Sequence, residues 1–295
     1  MRDISEFINK IHCGDCLDLM REMEDKSVDL IITSPPYNCG KDYLSYDDEI
    51  SWSDYYKFIN FVLDEAYRIS KDGGTIAIVV PPTIKWQYKH KFCNTWKDFD
   101  PSYKTHRGDE KFMGRGRIEP ISKTIHTLME THDSHMRETI IWVKGSEGGE
   151  PISSNYQMGC DSDPFIRGVY ETILIGSKGR WFHSGGTGRR GKDAVPFMDY
   201  TKDVWMIPPV SSREHPAPFP IEIPRRLIRL FTHGEHLTVL DPFCGIGTSL
   251  LAAQELGRNY IGIEKEPEYI KIAEKRLEKV NNHKITDFFG MEARV

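Results

Sequence analysis

The sequence lacks any long apolar run. No stretch approaches the roughly 20 apolar residues that cross a bilayer, and the opening MRDISEFINK lacks the apolar core of a secretory signal peptide. We therefore expect no membrane association and a cytoplasmic location. Internal repeats, heptad patterns and low-complexity tracts are also missing, which argues against a solenoid or a coiled coil.

Cysteine is sparse. Six cysteines are scattered over 295 residues, which does not suit a disulfide framework. Cys13 and Cys16 have C-x-x-C spacing, but no second such pair completes a tetrahedral zinc site, so we interpret them as small core residues. We predict no metal site, either at these cysteines or at His126, His132 and His135.

A net positive charge is absent as well. The formal net charge is -5 at pH 7, which provides no global attraction to nucleic acid. Contacts with phosphates are therefore expected only from local patches, although a solvated surface is the plainer interpretation of each patch alone. Basic, aromatic and glycine residues alternate in KWQYKHKFCNTWK from Lys85, KFMGRGR from Lys111 and GGTGRRGK from Gly185.

Helical and strand patterns alternate along the chain. Strands that alternate with helical crossovers indicate an α/β fold with a largely parallel sheet. Two segments, about 82–135 and about 145–202, lack clean periodicity, and long irregular segments are usually functional or disordered. The main predicted elements are strands at 28–33, 75–80 and 138–143 and helices at 52–70, 224–232 and 269–280.

The stretch VLDPFCGIGTSLLAA predicts a ligand-binding turn. A β-branched strand runs into Asp241, and Gly245 and Gly247 precede a helix that begins near Thr248. Glycines let the backbone approach a ligand, and a helix N-terminus presents unpaired N–H groups with partial positive charge. Leu250 stands where a dinucleotide-binding turn has its third glycine, and the lysine of a P-loop is missing.

Two acids suggest which ligand the turn binds. Asp241 at the strand end is suited to an ammonium group, and Glu264, which closes the next strand in YIGIE, is placed for ribose hydroxyls. A ligand with an adenosine half and a cationic amino-acid half suits both acids, and S-adenosyl-L-methionine is such a ligand. A tight turn with a solvated carboxylate is the alternative.

The stretch IITSPPYNCG contains a second motif, Ser34-Pro35-Pro36-Tyr37. Proline lacks an N–H and restricts the residue before it, so a buried strand ends here and no helix follows. A serine and an aromatic side chain are thereby held on either side of a rigid double proline. In isolation such a motif is usually a turn, and it gains meaning from the glycine turn downstream.

Together the two motifs resemble the amino-methylating DNA methyltransferases, which transfer a methyl group to an exocyclic nitrogen of cytosine or adenine. TSPPY corresponds to the family's catalytic tetrapeptide, Asp/Asn/Ser-Pro-Pro-Tyr/Phe/Trp, and DPFCGIGT to its cofactor loop. The catalytic motif comes first, as in the circularly permuted β subclass. Further matches are GDCLDLM at Gly14, RETIIWVK at Arg137, HPAPFP at His215 and LGRNYIGIE at Leu256.

The resemblance implies a fold and a division of the chain. The expected fold is α/β, with a Rossmann-like, mostly parallel seven-stranded sheet in circularly permuted order, helices on both faces and an inserted target-recognition region. Residues 1–144 would form the catalytic half, with a loop insert at about 82–135. Residues 145–202 would recognise the target, and residues 203–295 would form the cofactor-binding half.

The resemblance also implies a mechanism in which the target base is flipped out of the duplex before the methyl transfer. Ser34 and the carbonyl of Pro35 would accept hydrogen bonds from the amine and aim its lone pair at the sulfonium methyl. Tyr37 would stack on the ring, and the two prolines, Pro36 included, would keep the strand end rigid. The serine version of the tetrapeptide goes with cytosine N4 and the aspartate version with adenine N6, so cytosine is expected and adenine is the alternative.

Three cofactor contacts implied by the resemblance have plainer rivals. Asp15 is expected near the cofactor adenine, with a cap at the strand end as its rival role. Phe243 is expected against the adenine and His215 at the methionine end, with core packing and a turn as the rivals. The full expected cofactor-binding set is Asp15, His215, Asp241, Phe243, Gly245, Gly247, Thr248 and Glu264.

Double-stranded DNA is the implied partner. We assign target reading mainly to residues 145–202, with Arg189, Arg190 and Lys192 on phosphates and Arg167 or Asn155 on base edges. A cognate restriction endonuclease and a homodimer stay open as further partners. The rival functions are a nucleotide-dependent oxidoreductase, a non-catalytic nucleic-acid-binding module and an RNA methyltransferase.

Overall fold

The computed structural model describes residues 1–41, 44, 48–85, 118–145, 168–179, 198–210, 218–233 and 236–292. The expected site residues Arg189, Arg190, Lys192 and His215 lie outside the described residues, as do Asn155 and Arg167. In chain order the strands are β1 (Lys10–Cys13), β2 (Val28–Thr33), β3 (Ser70–Val80), β4 (Ile84–Lys85), β5 (Ile118–Glu119), β6 (Ser134–Met136), β7 (Ile140–Lys144), β8 (Tyr170–Lys178), β9 (Val204–Ile207), β10 (Thr238–Asp241) and β11 (Asn259–Glu264). The helices are a 3-10 turn at Ile4–Glu6 and the α-helices α1 (Cys16–Glu22), α2 (Trp52–Ile69), α3 (Ile121–Glu130), α4 (Glu222–Phe231), α5 (Thr248–Glu255) and α6 (Pro267–Glu292).

Nine strands of the described chain form one sheet in the order β1-β11-β10-β2-β3-β8-β7-β9, and β6 also pairs with β8. The first five strands are parallel, whereas β8 is antiparallel to both β3 and β7. The predicted α/β class and mostly parallel sheet are confirmed. The expected count of seven strands is corrected to nine in the described residues, because the short strand β9 extends one edge and β6 pairs with the end of β8.

Both faces of this sheet are covered by helices. Ile76, Ile78 and Val80 of β3 pack on one face with α1, α2 and α3, while Ala77 and Val79 pack on the other face with α4 and α5. Successive side chains of a strand point to opposite faces. A parallel sheet that is buried on both faces therefore needs the nearly continuous apolar runs that this sequence contains.

The position of the site depends on where β10 meets β2. β10 lies between β11 and β2, and its register with β2 pairs Leu240 with Ile31. Asp29 of β2 supports this register, because its Oδ2 accepts a hydrogen bond from the Thr238 N–H at 2.9 Å and both of its oxygens lie 2.9 Å from Lys71 Nζ. Since β2 and β10 are parallel, the loops that follow them leave the same edge of the sheet.

Part of the first irregular segment belongs to the core. Within the expected loop insert at about 82–135, α3 buries Ile121, Ile125 and Met129 completely. Side chains four residues apart share one face of a helix, and these three pack beside α2. The description of this whole segment as a loop is therefore corrected for its last part.

The second irregular segment also contains a core strand. β8 pairs with β3 over six residues and with β7 on its other side. The region assigned to target recognition, 145–202, is therefore divided by a strand of the main sheet. Of its other residues, 146–167 and 180–197 lie outside the described residues, and the role of the region in target recognition stays a prediction.

The turn after β10 is closed by the carboxylate of Asp241, which is 1% exposed. Its Oδ1 accepts a hydrogen bond from the Phe243 N–H at 3.1 Å, and its Oδ2 accepts one from the hydroxyl of Ser249. Ser249 lies in the first turn of α5, so the carboxylate joins the strand end to the helix. Burial raises the pKa of Asp241 to about 6, although the hydrogen bonds oppose this shift.

Gly247 is needed for helix packing. It precedes α5 with φ +75°, and a Cβ at this position would lie 2.9 Å from the Cβ of Ala273 in α6. Thr248 beside it is buried, and its hydroxyl accepts a hydrogen bond from the Arg276 guanidinium at 3.4 Å. These two residues therefore hold α5 against α6.

We expect Asp241→Asn to flatten the dependence of stability on pH. Because the pKa is raised in the folded protein, the carboxyl ionises first in the unfolded chain as the pH rises, and stability is lost between about pH 4 and pH 6. This group should lower the wild-type free energy of unfolding by roughly 2 to 3 kcal/mol over that window, and the variant should not show this loss. Urea unfolding at several pH values measures both.

The control is Asp18→Asn, which removes a carboxylate whose side chain is 76% exposed. It should leave the wild-type pH profile unchanged. An Asp241→Asn protein with the same profile as the wild type would show that burial does not raise this pKa.

Candidate active site

A cleft of about 870 Å³, including its mouth, opens where four parallel strands end. Open α/β sheets bind ligands at this carboxyl edge, at the point where strand order reverses. Phe58 of α2 and Tyr269 of α6 contribute to its walls. The rest of the lining comes from residues 14–16 after β1, from Ser34, Pro36 and Tyr37 after β2, from Pro242, Phe243 and Gly245 after β10, and from residues 263–266 at the end of β11.

The TSPPY motif forms one wall of this cleft. Ser34 and Tyr37 are half-buried and Pro35 is buried. Ser34 Oγ lies 2.7 Å from Tyr37 Oη, which also lies 3.2 Å from the Val79 carbonyl oxygen and 3.2 Å from Glu171 Oε2. The hydroxyl of Tyr37 is therefore attached to the sheet, and Tyr37 also lines the cleft.

The chain after Tyr37 is held by Asp48, which is 2% exposed. Its carboxylate accepts hydrogen bonds from the backbone N–H groups of Asn38 at 2.8 Å, Cys39 at 3.0 Å and Lys41 at 2.9 Å. Hydrogen bonds to an ionised acceptor are among the stronger ones in proteins. Asp48 thus makes the end of the motif rigid, and no local sequence pattern indicates this role.

Glu171 is a second residue that sequence reasoning does not find. Its Oε1 lies 2.6 Å from Lys144 Nζ, and the two side chains are only 12% and 14% exposed. The available signal is one acid near the start of the apolar strand VYETILIG and one base at the end of IIWVK. Only the pairing of β7 with β8 brings these two charges together.

Glu264 combines a structural role with spare hydrogen-bonding capacity. Its Oε2 accepts a hydrogen bond from the Gly245 N–H at 2.8 Å, and its Oε1 accepts one from the Glu266 N–H at 2.9 Å. Burial raises the pKa of Glu264, while these backbone hydrogen bonds oppose the shift. Each carboxylate oxygen has a second lone pair, so Glu264 can still accept hydrogen bonds from ligand hydroxyls.

An aromatic wall lies near this carboxylate. The rings of Phe243 and Phe58 meet edge to face, with centroids 6.0 Å apart and an interplanar angle of 70°. Phe243 also packs against the core. Phe243 is thus placed for both roles considered for it. It packs in the core, and its ring also offers a surface on which a flat heteroaromatic ring such as adenine packs well.

Asp15 caps the start of a helix, which differs from the strand-end cap considered as its rival role. Its Oδ1 accepts a hydrogen bond from the Leu17 N–H at 2.9 Å at the start of α1, and the residue also lines the cleft. Cys16 beside it is buried, and burial raises the pKa of its thiol to about 12. Cys13 and Cys16 are both free, but Cys13 is exposed, so their interpretation as small core residues is wrong for Cys13 and fits only the buried Cys16.

Not every expected cofactor residue reaches the cleft. Asp15, Phe243, Gly245 and Glu264 line it together with Ser34, Pro36 and Tyr37. Asp241, Gly247 and Thr248 belong to the same loop but are buried and do not line the cleft. The geometry thus gives Asp241 a supporting position, without the contact surface that an ammonium group would need.

Within the described residues, no group of His, Cys, Asp and Glu side chains could hold a metal ion. His126 instead lies beside Glu130, and His132 lies beside Asp64. Across the same residues, helices that are long enough to cross a bilayer are not apolar enough to do so.

Two curated relatives match almost the whole chain. The type II methyltransferase M.BglI of Bacillus subtilis is 25% identical over an alignment of 334 residues, gaps included, which covers 95% of this chain and 92% of the relative. The type II methyltransferase M1.MboII of Moraxella bovis is 28% identical over 273 residues, which cover 90% of this chain and 95% of the relative.

Solved structures share the fold. The Thermus thermophilus protein TTHA0409, in complex with S-adenosyl-L-methionine, is similar with a TM-score of 0.63 and 25% identity, over 92% of this chain and 93% of that one. PvuII DNA methyltransferase, described as cytosine-N4-specific, has a TM-score of 0.64 at 17% identity, over 92% of this chain and 90% of that one. The latter likeness concerns the fold alone.

The family model N6_N4_Mtase, described as DNA methylase, matches residues 28–275. The match includes both motifs that meet at the cleft, TSPPY and DPFCGIGT. The chain therefore belongs to the N6/N4 DNA methylase family.

Proposed function

We propose that this protein transfers a methyl group from S-adenosyl-L-methionine to the exocyclic N4 of a flipped cytosine at a specific site in duplex DNA. One observation carries the proposal: Ser34 and Tyr37 line the same cleft as Phe243, Gly245 and Glu264, although the two motifs are about 200 residues apart in the chain. An enzyme that moves a methyl group between two ligands needs both binding walls in one cavity.

The cofactor side of the cleft suits S-adenosyl-L-methionine. Glu264 has lone pairs to accept hydrogen bonds from ribose hydroxyls, and Phe243 and Phe58 provide a surface for the adenine ring. The Gly245 N–H is already used by Glu264, so its contribution is to keep that carboxylate in position. When bound, the cofactor supplies an electrophilic sulfonium methyl group.

The base side of the cleft suits an amine. The hydroxyl of Ser34 and the carbonyl of Pro35 are the acceptors that would hold the two N–H groups and turn the nitrogen lone pair towards the methyl group. Tyr37 would stack on the flipped ring, with its hydroxyl kept at the sheet by its contact with Val79. These groups act by positioning, and no covalent intermediate is needed; the nitrogen that gains the methyl group gives up one of its two protons to water.

The choice of cytosine rests on Ser34, through the family resemblance of the tetrapeptide. Adenine N6 is the alternative, because a serine hydroxyl and a proline carbonyl can accept hydrogen bonds from either amine. Membership of a DNA methylase family disfavours RNA as the substrate and disfavours an oxidoreductase. The relatives M.BglI and M1.MboII are named type II methyltransferases, so a cognate restriction endonuclease is a proposed partner, and a homodimer is a further one.

The first test is the modified base itself. DNA from a methylation-free host that expresses this protein should contain 4-methylcytosine, and nucleoside mass spectrometry measures it directly. 6-Methyladenine instead would keep the enzyme class and reject the choice of cytosine. A Ser34→Ala variant, expected to leave less than about a tenth of the mark because one amine acceptor is lost, is the control for host background.

A second test separates the two walls of the cleft. Glu264→Gln should weaken S-adenosyl-L-methionine binding by at least about tenfold, because a charged acceptor is lost and the new amide donor faces a backbone N–H. Tyr37→Ala should retain cofactor binding within about twofold but reduce methyl transfer by about 10- to 100-fold, because base stacking is lost. Calorimetry and a radiolabelled methyl-transfer assay measure the two effects.

The control for this second test is Glu278→Gln, an exposed glutamate of α6. It should change neither binding nor transfer. If Glu264→Gln and Tyr37→Ala reduced cofactor binding equally, the proposed division between the two walls would be wrong.

A third test concerns the residues proposed to contact DNA. Replacing Arg189 and Arg190 by alanine should weaken DNA binding and lower the slope of log affinity against log salt by about 0.9 for each lost phosphate contact. The control removes Arg21 and Lys26, two exposed cations that lie before β2, at the edge of the sheet opposite the cleft. Fluorescence titrations at several salt concentrations measure the slopes. Unchanged affinity in the Arg189 and Arg190 variant would reject this assignment.

A further inference from the structure

A line of hydrogen-bonding groups leads from the cleft into the sheet. Ser34 Oγ lies 2.7 Å from Tyr37 Oη, and Tyr37 Oη lies 3.2 Å from Glu171 Oε2. Glu171 Oε1 in turn lies 2.6 Å from Lys144 Nζ, with both side chains largely shielded from water. A residue at the cleft is thereby connected to a nearly buried ion pair.

The number of protons determines the direction of these hydrogen bonds. The phenol of Tyr37 carries one proton, whereas the Glu171 carboxylate and the Val79 carbonyl oxygen, each at 3.2 Å, can only accept. If Tyr37 donated its proton to Ser34, lone pairs would face lone pairs on the side of the carboxylate. Because an ionised acceptor makes the stronger hydrogen bond, Tyr37 donates towards Glu171 and Ser34 donates to Tyr37.

With this direction, Ser34 has no proton left to donate into the cleft. A serine hydroxyl has one proton and two lone pairs. Once its proton is directed at Tyr37, Ser34 can only accept a hydrogen bond from a group in the cleft. The exocyclic amine of a base is a donor of this kind.

We propose that Glu171, held by Lys144, is a positioning residue that keeps Ser34 oriented as the acceptor for the target amine. It acts through the Tyr37 hydroxyl and touches neither the base nor the methyl donor. The inference rests on the proposed methyl transfer to a base amine.

A purely structural ion pair is the competing explanation. Lys144 and Glu171 lie on the neighbouring strands β7 and β8, and their contact also joins these strands. The two explanations differ in the part played by Tyr37. If Glu171 only joins strands, removal of the Tyr37 hydroxyl should not alter the effect of losing the Glu171 charge.

The test is a double-mutant cycle of Glu171→Gln and Tyr37→Phe, followed by single-turnover methyl transfer with excess enzyme. The glutamine amide can donate to the Tyr37 oxygen, so the phenol proton becomes free to turn towards Ser34. In the Tyr37 protein, Glu171→Gln should lower the transfer rate about tenfold without changing the binding of cofactor or DNA. In the Tyr37→Phe protein, the same change should alter the rate by less than about twofold.

The matched control is Glu65→Gln, which removes another shielded ion-pair carboxylate, 17% exposed and paired with Arg68. It should leave the rate unchanged in both backgrounds. The proposal is overturned if Glu171→Gln costs the same factor with and without the Tyr37 hydroxyl, or if it costs nothing in the Tyr37 protein.

A second measurement on the same four proteins does not depend on methyl transfer. Urea unfolding should show that the stability effects of Tyr37→Phe and Glu171→Gln are coupled, and additive effects would overturn the hydrogen bond between them. A wild-type protein that transfers no methyl group to DNA would reject the proposed function, and the unfolding cycle would still decide whether Glu171 holds the Tyr37 hydroxyl.

Discussion

The parallel pairing of β2 with β10 is the constraint on which the site depends. These strands come from opposite ends of the chain, yet the TSPPY motif follows one and the glycine turn DPFCGIGT follows the other. Asp29 reaches from β2 to the first residue of β10 and to Lys71 at the start of β3, so one carboxylate supports the register of three strands. A slip of one residue would turn buried side chains to the wrong face and move the two loops apart.

Two acids at neighbouring strand ends have different roles for a physical reason. Asp241 and Glu264 each end a strand, and burial raises the pKa of both. The shorter side chain of Asp241 is enclosed by the turn and the hydroxyl of Ser249, which leaves it no surface in the cleft. The longer side chain of Glu264 binds Gly245 and Glu266 and still borders the cleft. Strand position alone therefore does not distinguish a supporting carboxylate from one that can meet a ligand.

The same limit explains how far the sequence predicts this structure. The strand predicted at 28–33 is observed with those bounds, because the two prolines that follow the β-branched run cannot continue the strand. β3 begins at Ser70 instead of residue 75, since the register shift opposite Val28 depends on its partner strand. Gly247 packs against a helix, and Glu171 pairs with a remote lysine. Local patterns predict elements and motifs, whereas such roles depend on neighbours that only the fold supplies.

The identity of residue 34 determines whether the site needs an orienting group at all. Carboxylate oxygens accept hydrogen bonds in every orientation, so an aspartate at this position would hold an amine without assistance. A serine hydroxyl can present either its proton or its lone pairs, and a proton aimed at the amine would compete with the donors that have to be bound. In the proposed arrangement, Tyr37 takes that proton away from the cleft, and Glu171 keeps Tyr37 in the state that does so. The ion pair of Glu171 and Lys144 thus keeps the neutral hydroxyl of Ser34 in the role of acceptor, whereas an ionised aspartate would be an acceptor without such help.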